Sequence, residues 1–458
     1  MAAKALDETS FSGGYRAWFL ALMVAISTCS AIDRVAVITV GQAIKEDLRL
    51  TDFEFGLLGG FGFAVLYAVL GLPIARLADT RSRAKLVAAA VAIWSVFAVL
   101  SGLARSFGQM MVCRIVIGIG EAGVQPPTVS MISDLYPRSR RGFALGILAL
   151  GVPIGTLFGA IGGGYLAQYL SWRTTFILLG VPGMVLAGIA FLTLREPPRG
   201  MSDAKAAVNT SAPALKAVLR CLAAKPSFWH LVIAVAVINF ATAGLGAFLP
   251  QYFSRAFGMG LGRTGIVYGL VGAVSTLVGY VFGGMLTDRV SRRDERWYVW
   301  LPGIGVLASA PLYVASFLIP NPVIATVFVL LGSTAMFLYY TPTQVLLQNM
   351  VEPQMRATAA FLFFFVAGLV GAGFGPALTG LLSDLLAAHS FHIGDYARLC
   401  PPGLAGSRPA ALESACRAAS ALGIRGALTA MGCLYFWAMA HYFLAARTVR
   451  QDIEPAPS

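Results

Sequence analysis

Charged residues are scarce in this chain, which excludes an ordinary soluble domain. Only 12% of its 458 residues are Asp, Glu, Lys or Arg, against about 25% in a typical soluble protein. Histidine is also rare, and the 6 cysteines are scattered without the spacing of a metal site. We therefore expect no metal and no cofactor.

In place of charge, the sequence has long apolar runs, and 57% of its residues are hydrophobic. Runs of about 18 or more apolar residues predict membrane-spanning helices. The sequence contains twelve such runs separated by polar stretches, which predicts twelve helices. Their expected ranges are 16–41, 55–78, 84–104, 107–134, 141–169, 173–194, 227–254, 262–287, 296–319, 321–350, 356–388 and 421–446. The sequence thus predicts an all-α polytopic membrane protein.

The net charge of +13 does not indicate a nucleic-acid partner, because the basic residues lie in short loops between apolar runs. Loops on the same side as the two termini carry a roughly twofold excess of Lys and Arg, which predicts that both termini are cytoplasmic. The polar N-terminus is followed by a run that is too long for a signal-peptide core. Short loops favour a bacterial inner membrane.

The most polar internal stretch divides the chain into two halves of six helices. We expect a six-helix bundle over 1–194, a cytoplasmic linker over 195–226 and a second bundle over 227–458. The last outer loop contains Cys400 and Cys416. These can form a disulfide in an oxidising compartment or remain two unpaired thiols, since sequence alone does not fix their geometry.

The two halves contain a repeated loop motif. "ARLADTRSRAK" follows helix 2 and "GMLTDRVSRR" follows helix 8, so Asp79 corresponds to Asp288 and Arg83 to Arg292. "DLYPRSRRG" follows helix 4. Acids at helix ends facing clustered arginines can clamp neighbouring helices in one state and release them in another. The residues predicted for such a cytoplasmic gate are Asp79, Arg83, Asp134, Arg141, Asp288, Arg289 and Arg292. The alternative is charge that only sets topology.

These motifs resemble the major facilitator superfamily over essentially the whole chain. The loops resemble its G-x-x-x-D-R-x-G-R-R motif, although Ala75, Thr80 and Ser82 depart from it in the first copy, and "RIVIGIG" matches its helix 4 motif. The resemblance implies two pseudo-symmetric six-helix bundles around a central cavity, with alternating access. "IDR" in helix 1 and "GIGEAGVQPPTVSMISDLYP" in helix 4 are similar to the Spinster family, which includes transporters of sphingosine-1-phosphate and lysophospholipid.

Four charged residues lie inside the apolar runs of helices 1 and 4. Asp33 and Arg34 are adjacent, and Arg114 and Glu121 are seven residues apart, which places both on one helix face. Charge within a membrane helix is costly and usually functional. We predict Asp33 and Glu121 as proton-coupling acids, with Arg34 and Arg114 as counter-charges that contact substrate. A static buried salt-bridge cluster is the alternative.

The second half offers uncharged polar and aromatic side chains instead. Candidate substrate contacts there are Asn239, Tyr340, Thr343, Gln344 and Phe361. Aromatic clusters also pack helices or face lipid, which is the alternative explanation. A cavity charged on one side and aromatic on the other suits an amphiphile.

The leading hypothesis is a monomeric, proton-coupled transporter of a lysolipid-like amphiphile. Transport of small organic anions or drugs on the same fold is the alternative. An enzyme is not expected, because the sequence has no GxSxG serine elbow, HExxH or phosphate-binding loop. The sequence leaves the substrate, the direction of transport and the coupling stoichiometry open.

Overall fold

The computed structural model describes residues 11–62, 73, 77, 80–199, 201–202, 215–352, 354–404, 406 and 408–453. Every regular element in these ranges is a helix. In chain order they are α1 Gly13–Thr39, α2 Gly41–Leu48, α3 Asp52–Gly59, α4 Arg83–Ser101, α5 Phe107–Ala122, α6 Gln125–Leu135, α7 Arg138–Ala149, α8 Gly151–Tyr169, α9 Trp172–Thr193, α10 Leu215–Ala223, α11 Pro226–Phe257, α12 Leu261–Val290, α13 Trp297–Leu318, α14 Pro322–Phe337, α15 Tyr340–Asn349, α16 Arg356–Ser390, α17 Tyr396–Leu399, α18 Ala410–Ala445 and α19 Val449–Asp452.

The described residues contain 11 helical stretches that are long and apolar enough to cross a membrane. The prediction of an all-α polytopic membrane protein is therefore confirmed. The remaining expected helix, over 55–78, begins within α3, and most of its length lies outside the described residues.

Three of the expected spanning runs contain a break, and a proline explains each one. Pro126, Pro153 and Pro342 lack the backbone N–H that would bond to the carbonyl four residues earlier. The helix is accordingly interrupted near Ala122 between α5 and α6, and near Ala149 between α7 and α8. It is also interrupted at Leu338, between α14 and α15. Freed carbonyls at membrane depth are tolerated where the protein or a cavity can satisfy them.

The last spanning helix begins earlier than expected. It was predicted to start at residue 421, but α18 starts at Ala410, directly after Pro409. The segment 410–420 is polar and was therefore assigned to the outer loop. It is nevertheless rich in alanine, and Arg417 donates to Glu413 one turn earlier at 2.9 Å; both features favour helix.

The described residues form two compact units. Unit 1 takes its residues from 1–43, 62–209 and 261–269, and unit 2 from 44–61, 210–260 and 270–458. These units are defined by contacts and do not test the predicted boundaries of the two bundles at residues 194 and 227, which stay a prediction. In unit 1 a core of apolar side chains from α1, α4, α6 and α9 is buried; among its members are Phe19, Met23, Val87, Trp94, Ile132 and Ala190.

Close helix packing in unit 1 depends on glycines at four-residue spacing in α8. A Cβ atom at Gly155 would lie 2.5 Å from the carbonyl oxygen of Thr28, and one at Gly159 would lie 2.8 Å from Cα of Ile32. Only glycine allows α8 to approach α1 so closely. This contact fixes α1 immediately beside Asp33 and Arg34.

Candidate functional site

The four predicted charged residues of unit 1 lie together as two ion pairs between α1 and α5. Arg114 Nη1 donates to Asp33 Oδ2 at 3.0 Å. Arg34 Nε lies 3.4 Å from Glu121 Oε2. Asp33 and Arg34 are adjacent on α1, and their partners on α5 are seven residues apart. Each acid therefore has a cation from the other helix.

Three of these residues are buried and the fourth is not. Asp33, Arg114 and Glu121 are 6%, 2% and 4% exposed, whereas 36% of the Arg34 side chain is accessible. Arg34 also donates from Nη2 to Ser30 Oγ, one turn earlier on α1, at 3.2 Å. Arg34 is thus the cation of the cluster that a ligand can reach directly.

Glu121 has one carboxylate oxygen that its ion pair leaves unused. Oε1 is buried without a hydrogen-bond partner among the described residues, while Oε2 faces Arg34. A buried acceptor without a partner is costly for a charged carboxylate. A proton on this carboxyl group would remove the buried charge and so lower that cost.

A second ionic cluster in unit 1 is centred on Arg83, which is 1% exposed. Its Nη1 pairs with Asp134 and donates to Ser130 Oγ at 2.8 Å. Its Nε donates to Glu196 Oε1 at 2.7 Å, and Nη2 donates to the carbonyl oxygen of Pro197, also at 2.7 Å. The guanidinium thus joins the end of α6 to the segment that follows α9.

Glu196 was not among the predicted site residues, because it lies in the predicted linker over 195–226. Its Oε2 accepts from the Ser82 hydroxyl at 2.9 Å and from the Ala84 N–H at 3.0 Å. It therefore caps the N-terminus of α4, where an anion is favoured. Burial alone would raise the pKa of Glu196, but these hydrogen bonds and Arg83 outweigh burial and hold the pKa below its usual value.

The other predicted gate residues are placed differently. Asp79 lies outside the described residues. Arg141 donates from Nε to the carbonyl oxygen of Tyr136 at 3.1 Å. Asp288, Arg289 and Arg292, in the second copy of the motif, are exposed. The two copies of the sequence motif therefore differ in this structure, since Arg83 is buried in a network and Arg292 is not.

Three of the candidate residues of unit 2, Asn239, Tyr340 and Thr343, contact tyrosine side chains. Tyr339 donates from its hydroxyl to Asn239 Oδ1 at 3.2 Å, and Thr343 and Tyr442 share a hydrogen bond of 2.8 Å. The Tyr340 ring stacks on that of Tyr280 with centroids 4.4 Å apart.

Three of the unit 2 candidates are partly accessible. Tyr340, Gln344 and Asn239 are half-buried, whereas Thr343 is buried. Phe361 lies in α16. Thr343 is thus engaged within the helix packing, and the half-buried residues are better placed to meet a ligand.

A third ionic cluster, in unit 2, was not predicted at all. Arg255 on α11 binds the Asp52 carboxylate through two hydrogen bonds of 2.7 Å each. Lys45 pairs with the same carboxylate, and the Ser383 hydroxyl donates to Asp52 Oδ2 at 2.7 Å. Asp384 accepts from the Asp52 N–H at 3.1 Å and from the Phe53 N–H at 2.9 Å. We call Lys45, Asp52, Arg255, Ser383 and Asp384 the Asp52 cluster.

Cys400 and Cys416 form a disulfide, with their Cα atoms 5.6 Å apart. Cys29, Cys113, Cys221 and Cys433 are unpaired. In the described part of the chain, no group of three or more His, Cys, Asp or Glu side chains is placed to hold a metal ion.

Comparison with known proteins identifies the class. The model of the Major Facilitator Superfamily matches residues 22–384, and the chain belongs to this superfamily of membrane transporters. It is a multi-pass membrane protein with the fold of that superfamily.

Within the superfamily, the chain is similar to Spinster proteins. It is 32% identical to an MFS-type efflux pump of Mycolicibacterium smegmatis over 83% of this chain and 87% of the pump. It is 26% identical to human protein spinster homolog 1 over 82% and 75% of the two chains, and 25% identical to the sphingosine-1-phosphate transporter SPNS2 of Danio rerio over 78% and 73%.

Solved structures agree with this relationship. Crystal structures of a bacterial homolog of the human lysosomal transporter Spinster, inward-facing and either unoccupied or occupied, superimpose with a TM-score of 0.89 at 32% identity. They cover 97% of this chain and 100% of the homolog. The protein is thus a transporter of the Major Facilitator Superfamily that is related to Spinster.

Proposed function

We propose that this transporter moves a lysolipid-like amphiphile across the membrane by alternating access and is driven by protons. The observation that carries the proposal is the α1–α5 cluster, in which Glu121 is buried and pairs with a partly accessible Arg34, while its Oε1 has no hydrogen-bond partner in the described part of the chain. We further propose a bacterial inner-membrane location with both termini cytoplasmic, and a monomer without cofactors.

The proposed coupling between protons and substrate depends on Arg34, which can pair either with Glu121 or with the substrate. When Glu121 is ionised, it neutralises Arg34 across 3.4 Å. When Glu121 takes up a proton, that pairing is lost and the Arg34 guanidinium can bind an anionic group such as a phosphate. Proton and substrate occupancy are thereby linked through one cation. The Asp33–Arg114 pair behind it supplies a second acid and a second counter-charge.

The substrate class is proposed from the chemistry of the candidate side chains, taken in each unit by itself. In unit 1, the arginines of the α1–α5 cluster match a phosphate head group. In unit 2, aromatic side chains such as those of Tyr280 and Tyr340 are of the kind that contact an acyl chain. The similarity to SPNS2 of Danio rerio, a sphingosine-1-phosphate transporter, supports the same class.

The test is uptake of lysolipids by proteoliposomes, with and without an imposed proton gradient. We expect gradient-stimulated movement of a single-chain phospholipid in the wild type and loss of the stimulation in Glu121→Gln. Glu295→Gln is the matched control, because Glu295 is an exposed acid in the 291–296 loop. Stimulation that persists in Glu121→Gln would remove this residue from proton coupling.

Transport of small organic anions or drugs is the second candidate, supported by the similarity to an MFS-type efflux pump. The two candidates differ in their dependence on chain length. A lysolipid transporter should lose activity as the acyl chain is shortened, since the chain contributes apolar contact. An anion transporter should be indifferent to chain length and sensitive to Asn239→Ala or Gln344→Ala.

A further inference from the structure

The short helix α10, in the predicted linker, has two different faces. It packs against α11 and α16 of the same unit, and Val218 and Leu222, one turn apart, are buried at 0% and 1% exposure. Lys216 and Arg220, also one turn apart, are exposed. Each lies two residues before one of the buried pair, which is about half a helical turn away. α10 therefore has one apolar face against the protein and one basic face turned outward.

The basic face of α10 carries no acid of its own. The sequence of the helix, LKAVLRCLA, contains two cations and neither Asp nor Glu. Among the described residues, no ion pair includes Lys216 or Arg220. Leu219, which lies between them in sequence, is 47% exposed although it is apolar. Cations beside an exposed apolar side chain are typical of a helix that lies in a membrane–water interface.

Trp229 fixes the level of α10 relative to the membrane. It lies in the first turn of the spanning helix α11 and is 52% exposed. Its Nε1 donates to the carbonyl oxygen of Ala223, the last residue of α10, at 3.1 Å. Tryptophan near the end of a spanning helix is typical of the head-group region of a bilayer. The hydrogen bond thus holds the C-terminus of α10 at that level.

A second exposed tryptophan lies towards the same end of unit 2. His230 of α11 and His441 of α18 face each other with their Nδ1 atoms 3.0 Å apart, and the His441 ring lies 6.2 Å from that of Trp437. Trp437 is 54% exposed. Two exposed indoles near the ends of neighbouring spanning helices are the pattern of an interfacial aromatic belt. α10 adjoins this belt through Trp229.

We propose that α10 binds anionic phospholipid head groups of the adjoining membrane leaflet, with Lys216 and Arg220 on the phosphates and Leu219 at the edge of the acyl chains. A guanidinium can donate two parallel hydrogen bonds to a phosphate, and Lys adds a compact charge. A zwitterionic lipid offers the same phosphate, but its own cation opposes these side chains. The site therefore selects lipids with a net negative charge.

The combination of charge and depth favours a lipid over a soluble partner. An acidic protein segment could also pair with Lys216 and Arg220. It would not account for an exposed leucine that lies on a helix held at head-group level, whereas the acyl boundary of a lipid does. The inference is independent of which substrate the protein transports.

The test uses the full chain in nanodiscs, with a bimane fluorophore attached to Cys221 of α10. The disulfide is kept, and the other unpaired cysteines are replaced by serine, namely Cys29, Cys113 and Cys433. The nanodiscs contain phosphatidylcholine with increasing fractions of either phosphatidylglycerol or phosphatidylcholine that carries a nitroxide on an upper acyl carbon. Because a nitroxide quenches bimane only at short range, the two titrations give the relative affinity of the α10 surface for the two lipids.

We expect spin-labelled phosphatidylglycerol to quench at a lower fraction than phosphatidylcholine, with a preference of about fivefold for each cation at the membrane surface. Lys216→Gln and Arg220→Gln should each reduce the preference by about that factor, and the double variant should abolish it. Leu219→Asn should weaken quenching by both lipids and keep the preference.

The matched control is the double variant Lys85→Gln/Arg105→Gln. It removes two exposed cations of unit 1 and changes the net charge by the same amount. The wild-type preference should persist in it. A preference lost equally in the control would show that the charge of the whole protein, and not α10, attracts the lipid.

Equal quenching by the two lipids in the wild type would overturn the proposal, as would a preference that survives in Lys216→Gln/Arg220→Gln. Quenching by neither lipid would also overturn it, because α10 would then lie away from the bilayer and its cations would be left for a soluble acidic partner. The measurement involves no transport, so its failure is separate from that of the Glu121→Gln experiment.

Discussion

Arg83 and Glu196 form a direct ion pair of 2.7 Å although they are 113 residues apart in sequence. The pair joins the start of α4 to the segment after α9, and Arg83 extends the contact to Asp134 on α6. One guanidinium thus fixes three chain segments on a single face of unit 1. Arg83 belongs to the repeated loop motif, whose charged residues are predicted to form a cytoplasmic gate.

Replacement of Arg83 should destabilise the protein strongly. Arg83→Met leaves Asp134 and Glu196 without their shared cation, and breaking a buried pair in this way costs roughly 3–5 kcal/mol. Thermal unfolding in detergent measures the effect. Lys85→Met is the control, because Lys85 is an exposed cation in the same first turn of α4. A melting temperature no lower in Arg83→Met than in Lys85→Met would show that the network is not stabilising.

The contribution of Glu196 should depend on pH in a defined direction. Its pKa is below the usual value in the folded protein, so its stabilisation is fully present above its unfolded pKa of about 4.3. That stabilisation is lost as the pH falls through the folded pKa. The melting temperature of the wild type should therefore exceed that of Glu196→Gln at pH 7, and the difference should shrink below pH 4. A difference that stays constant over this range would contradict the assignment.

Much of the fold was predictable because its signal is local. A spanning helix must be apolar over its whole length, so runs of residues reveal it without knowledge of tertiary contacts. The seven-residue spacing of Arg114 and Glu121 likewise places both on one face of α5. The structure adds that Asp33 and Arg34 are their partners across the helix interface.

The arginine contacts that were missed are not local. Glu196 and Asp52 lie in short polar segments that look like ordinary loop sequence, and their arginine partners are more than a hundred residues away. No spacing rule links Asp52 to Arg255, since only the tertiary packing of α3 with α11 and α16 brings them together. The early start of α18 was missed because membrane-helix prediction uses hydropathy, whereas helix formation also uses alanine content and side-chain pairs.

Substitution of Gly159 should disturb the charged site through the packing of α8 against α1. A Cβ atom there would lie 2.8 Å from Cα of Ile32, next to Asp33, so Gly159→Ala must push α1 away. Overpacking of this kind costs roughly 1–3 kcal/mol, and we expect reduced transport together with a lower melting temperature. Gly162→Ala is the control, because no atom of the described residues lies within 4 Å of its Cβ position. If both variants behave as the wild type, α8 does not position the α1 charges.

The orientation of the chain in the membrane can be measured by labelling one introduced cysteine on each face. Arg105, between α4 and α5, and Arg293, after α12, are both exposed and lie on opposite faces by helix count. With Cys29, Cys113, Cys221 and Cys433 replaced by serine, Arg105→Cys should react with an impermeant maleimide on intact cells. Arg293→Cys should react only after permeabilisation.

The reverse pattern of labelling would place the termini outside the cytoplasm. It would then contradict the Lys and Arg bias, which predicts cytoplasmic termini. It would also move the Arg83 network to the outer face and the Asp52 cluster to the inner face, because helix count ties both to the termini. The ion pairs within each cluster would be unchanged, and only the face of the membrane on which each cluster lies would differ.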